Sequence, residues 1–178
     1  MSMKMNRRTF LKTSAAMAAA ASMTGLLGGC GDSNALAPNE VRVGQYRISI
    51  NNLDIGYGGS ESEGLKKTLK AKVTLKFEGG SNDFQATDYA GMFKGSMAGK
   101  ELETLSPVSG QLIASNFAWG TLFGRTTVDL EMDFKTDEAL AAYKSGTPVV
   151  LTIKISGVTA TMYLLKQDGK YIALRELI

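Results

Sequence analysis

The chain has 178 residues, with 20 Lys+Arg against 17 Asp+Glu, one cysteine and no histidine. Zinc, copper(II), haem and iron–sulfur sites therefore lose their usual ligands, and histidine-dependent acid–base and triad chemistry loses its base. No cofactor and no catalytic residue are therefore assigned, and since a lone thiol cannot form an internal disulfide, stability must come from core burial.

Residues 1–29 have the three parts of an export signal. Lys4, Arg7, Arg8 and Lys12 form a basic head without an acid; an apolar middle runs from Ala15 to Leu27; Gly28-Gly29 leads into Cys30. The middle is short and rich in Ala and Gly, unlike a membrane span of roughly 20 strongly apolar residues. "NRRTFLK" resembles the twin-arginine translocation motif, with Arg7, Arg8, Phe10, Leu11 and Lys12 in place. "LGGC" resembles the lipobox of bacterial lipoproteins. That resemblance implies cleavage before Cys30 and acylation of its thiol. A buried free cysteine, or a cleavage elsewhere with Cys30 incidental, are the alternatives. Without residues 1–29 the chain carries 16 basic against 17 acidic residues. The excess of positive charge belongs to the signal, and nucleic-acid binding loses its electrostatic support.

Residues 30–40, "CGDSNALAPNE", read as the lipidated cysteine and a flexible tether, reaching up to roughly 30 Å when extended. Residues 41–178 read as one domain. "QYRISINNLDI" (45–55) alternates at Tyr46, Ile48 and Ile50. "LKKTLKAKVTLKF" (65–77) points Leu69, Ala71, Val73, Leu75 and Phe77 inward and Lys70, Lys72, Thr74 and Lys76 outward. "TTVDLEMDF" (126–134) has Val128, Leu130, Met132 and Phe134 inward and Asp129, Glu131 and Asp133 outward. The opposite charges predict that these two strands are antiparallel neighbours. "TDEALAAYKSG" (136–146) predicts a two-turn helix capped by Thr136 or Asp137. "PVVLTIKIS" (148–156) alternates, and the final stretch predicts a hairpin across Asp168-Gly169. The expected fold is an all-β, antiparallel, immunoglobulin-like sandwich with one short helix.

The order of these strands, with "KVTLKFEGGSNDF", "FGRTTVDLEMDF" and "PVVLTIKISG", resembles the telokin-like, immunoglobulin-fold domains of bacterial lipoproteins of unknown function. The likeness covers residues 41–157 and departs at 97–121 and at the C-terminal hairpin. It implies no catalytic residues.

Few candidate sites stand out. Asp54, Glu61 and Glu63 flank a glycine-rich loop that lacks the alternating acids of a calcium loop. Met92, Met97, Met132 and Met162 read as core fillers. "SPVSGQLIASNFAWGTLFG" (106–124) carries Phe117, Trp119 and Phe123, read either as a partner contact or as core. Three functions follow as expectations. The first is a lipid-anchored extracytoplasmic binding or scaffolding domain without catalysis, held against another envelope protein. The second is an accessory subunit of an exported redox or respiratory complex. The third is a carboxylate-dependent hydrolase using Asp54, Asp88 or Glu103. Asp32 lies one residue beyond the position that signals inner-membrane retention, which Gly31 occupies. An outer-membrane destination is therefore expected in a host with two membranes.

Overall fold

A computed structural model of the chain describes residues 35–58, 64–80, 83–117 and 124–177. Residues 36–178 form one compact unit. Its described residues are all-β and antiparallel with one α-helix, the class expected from the sequence.

The first sheet has the order β1-β2-β3-β9-β7, with β1 Glu40–Val43, β2 Tyr46–Gly58, β3 Lys66–Phe77, β7 Glu103–Ser106 and β9 Arg125–Asp133. The second has the order β12-β11-β10-β5-β6, with β5 Phe93–Met97, β6 Lys100–Glu101, β10 Val149–Ile155, β11 Val158–Gln167 and β12 Lys170–Leu174. A small ladder joins β4 Thr87–Asp88 to β8 Gln111–Leu112, and a 3-10 helix follows at Ala114–Phe117. Each large sheet is built on a three-strand meander, β1–β2–β3 or β10–β11–β12. An immunoglobulin domain instead moves its early strands between sheets.

Period-two patterning makes the sandwich. In β3, Leu69, Val73 and Leu75 are fully buried, and in β10 so are Val149, Leu151 and Ile153. Met92, Met97, Met132 and Met162 lie in this core. Gly95 on β5 faces Met132 on β9, whose sulfur occupies the space a Cβ would need. A side chain at that position would have to displace the Met132 thioether from between the sheets.

β3 and β9 are antiparallel neighbours as expected, with Lys70 opposite Glu131 and Lys72 opposite Asp129. Two details differ. Lys76 faces Arg125 rather than an acid. Asp133, expected to point outward into water, is only 7% exposed. It is drawn in because Lys135 N–H donates to its Oδ1 at 2.8 Å and Lys66 lies 3.9 Å from its other oxygen.

The helix, α1, spans Asp137–Lys144, and the Thr136 side chain caps it by accepting from Ala139 N–H. Its Tyr143 is fully buried and stacks on Tyr171 of β12, with ring centroids 5.8 Å apart. Asp168-Gly169 makes the predicted tight turn, with φ of 50° and 78°. Ala98-Gly99 and Ser156-Gly157 make two more of the same backbone type.

The N-terminal end of the domain is tied down before β1 begins. Glu40 N–H donates to Ala37 C=O at 2.9 Å, Ile50 N–H to Asn39 C=O at 3.1 Å and Arg175 N–H to Pro38 C=O at 2.8 Å. These bonds place residues 37–40, read from sequence as tether, against β2 and the end of β12.

Candidate contact surfaces

The export residues Arg7, Arg8, Phe10 and Leu11, the lipidation residue Cys30, and Glu61, Glu63, Trp119 and Phe123 all lie outside the described residues. Phe117 is described, and it is not a surface contact. It is 1% exposed and sits in an aromatic cluster with Tyr46 at 5.9 Å, Phe84 at 5.7 Å and Phe77 at 6.1 Å. Packing of large aromatic rings explains its place. The Tyr46 hydroxyl in this cluster is buried without a hydrogen-bond partner. Burial pushes its pKa up from 10.0 to about 12.

The three carboxylates weighed for hydrolysis are not brought together in the sheets. Asp54 sits at the irregularity of β2, where its Oδ1 accepts from Ile55 N–H. Asp88 lies in the small ladder, and Glu103 in β7, with two strands between it and β2. Glu103 lies 3.7 Å from Lys66. Among the described residues, no group of three or more Asp, Glu, His or Cys is placed to hold a metal ion.

The outer face of the first sheet carries two clusters of paired charges. Lys70 reaches Glu131 at 3.3 Å, and Thr68 donates to the same carboxylate at 2.6 Å. Gly58 on β2 leaves room for this carboxylate, since a Cβ there would collide with it. At the other end Glu78 receives Arg42 at 2.7 Å, Lys76 at 2.9 Å and Arg47 at 3.4 Å. Desolvation works to raise the Glu78 pKa. The Lys76 hydrogen bond and the charges of Lys76, Arg47 and Arg42 outweigh it, and the pKa lies below the usual carboxylate value.

The outer face of the second sheet has a different chemistry. Register places Tyr163 of β11 between Val150 of β10 and Leu174 of β12, and Leu165 beside Ile172. These five apolar or amphipathic side chains form one half-buried patch. Lys94, Lys154 and Lys170 stand exposed on the same face, without an ion pair among the described residues. Strands β10, β11 and β12 contain no acidic residue. Beside this face, between β2 and β12, runs an open groove of about 340 Å³ lined by Pro38, Ile50, Leu53, Ile172 and Leu174. Sequence reading missed this surface, because the inward residues of β11 and β12 are apolar too and no alternation stands out.

No helix among the described residues is long and apolar enough to cross a membrane. Residues 4–24 match the family model for the TAT (twin-arginine translocation) pathway signal sequence. The chain is thus marked for export across the cytoplasmic membrane. No curated protein and no solved structure matches it.

Proposed function

We propose that the exported chain is a lipid-anchored domain that acts outside the cytoplasm by contact rather than by catalysis. The observation that carries this reading is the order of the N-terminal segment. A twin-arginine signal at residues 4–24 runs directly into Leu27-Gly28-Gly29-Cys30. In a lipoprotein that sequence is cut before the cysteine, and the acylated thiol holds the domain on the membrane. The resemblance to telokin-like lipoprotein domains points the same way. The scattered positions of Asp54, Asp88 and Glu103 favour contact over hydrolysis, because paired carboxylates must share one site. The partner is another envelope protein, and the destination in a host with two membranes is the outer one.

The test is the mass of the processed N-terminus. Acylation at Cys30 is expected, with Cys30→Ala unacylated and lost from the membrane fraction. The pair Arg7→Lys, Arg8→Lys is expected to leave unprocessed precursor in the cytoplasm. A chain that retains residues 1–29, or carries a free thiol at Cys30, sinks the anchor. Capture from envelope extract with a stable cofactor-bearing enzyme would move the assignment to an accessory subunit.

A further inference from the structure

We propose that the outer face of the β10–β11–β12 meander lies on an anionic phospholipid surface. The inference rests on the lipid anchor proposed above and names the surface that the anchor brings to the membrane.

Three observations converge. The first is composition by register. Val150, Tyr163, Leu165, Ile172 and Leu174 adjoin one another, half-buried, on the outer face of the second sheet. Tyrosine suits the headgroup zone, where its ring is apolar and its hydroxyl stays wet. The second is charge. Lys94, Lys154 and Lys170 stand exposed on this face without ion pairs among the described residues; β10–β12 hold no acid, and the exposed Glu101 of β6, opposite Ser96, is the acid at the far edge of the sheet. On the first sheet Glu78 alone gathers Arg42, Arg47 and Lys76, and Lys72 is the outward lysine of β3 that stands exposed without an ion pair among the described residues. The third is the tether. Pro38 is bound to Arg175, immediately after β12. The span from Cys30 to Ala37 reaches roughly 25 Å at most, whatever conformation it takes. An acyl chain at Cys30 therefore keeps the end of β12 within roughly 25 Å of the bilayer, and β12 bounds the apolar face.

The physics is that of a two-signal anchor. An acyl group supplies attachment, and a basic patch with apolar side chains fixes orientation. Each unpaired lysine contributes about fivefold to partition at an anionic surface.

The experiment uses the exported, processed full chain, purified with its lipid and reconstituted in vesicles of phosphatidylethanolamine and phosphatidylglycerol. Acylation of Cys30 is read by mass spectrometry. Thr161→Cys on the second sheet and Thr127→Cys on the first each receive a polarity-sensitive fluorophore. Lipids bearing a quencher near the headgroup are expected to quench position 161 several times more strongly than position 127. The triple variant K94E/K154E/K170E, all exposed positions, is expected to lose that difference while staying acylated. Equal quenching at the two positions on an acylated chain overturns the face assignment and leaves the anchor standing. An unmodified Cys30 overturns both. Shielding of position 161 from a water-soluble alkylating reagent in whole envelopes but not in vesicles shows a protein on this face, and also overturns the lipid assignment.

Discussion

The two outer faces of the sandwich share strand geometry and differ in how their polar groups are satisfied. On the first sheet, acids and bases alternate between neighbouring strands, and Lys70, Thr68 and Glu131 hold one another. On the second, apolar side chains fill the middle and lysines stand at the margin without acids on β10–β12. A face that pairs most of its own polar groups acts within the fold, and the exposed lysines and half-buried apolar groups of the other are those proposed here to act outside the chain. Substitutions on the first face should therefore cost stability, and those on the second should cost contact.

The largest expected effect is on the first face. Glu131→Ala strands the Thr68 hydroxyl, which is fully buried, and should lower unfolding free energy by about 2 kcal/mol in denaturant titration. Glu131→Gln keeps an acceptor for Thr68 and should lose less. Equal losses for the two variants would show that the charge, not the hydrogen bond, matters there. Next come Ile172→Ser and Leu174→Ser on the second face. Each should cost about 1 kcal/mol or less, since half-buried side chains have less area to lose, while membrane protection at position 161 falls. A large loss of stability with protection unchanged would make this face structural and erase the contrast.

An interior control touches neither face. The raised Tyr46 pKa means that the folded state favours the protonated phenol. The associated stability is complete below pH 10 and is lost as pH rises toward about 12. Tyr46→Phe should flatten that part of the alkaline stability curve and be close to neutral at pH 7, because the hydroxyl has no partner to lose.

The smallest effect concerns Glu78. Its lowered pKa means that the ionised form stabilises the fold above the ordinary carboxylate pKa, and that this is lost as pH falls through the depressed value. Glu78→Gln should melt slightly below the parent protein at pH 7 and coincide with it in strong acid. A difference that persists in acid would assign the effect to packing rather than charge.

The strands were legible where alternation was clean. β3 and β9 announced their inward faces, and their opposite charges announced that they are neighbours. The register was less legible, because charge alone cannot decide whether Lys76 meets Asp133 or Arg125; the pairing at Thr68–Asp133 settles it. Asp133 was misread because period two said outward, while the backbone bend at Lys135, with φ of 64°, folds an N–H onto its carboxylate. Asp168-Gly169 was readable as a turn. Ala98-Gly99 and Ser156-Gly157 were not, since Ala and Ser carry a weaker turn signal than Asp. Phe117 is left open between contact and core by the sequence, because nothing in 106–124 reveals which ring folds inward.

Consider finally how the domain is held at Pro38 and Asn39. The Pro38 carbonyl accepts from Arg175, just past the second sheet, and the Asn39 carbonyl from Ile50 of the first. A tug on the chain ahead of them is shared by both halves of the sandwich at once. Drag on a domain tethered this way would strain the seam between the layers before it peeled away any single strand.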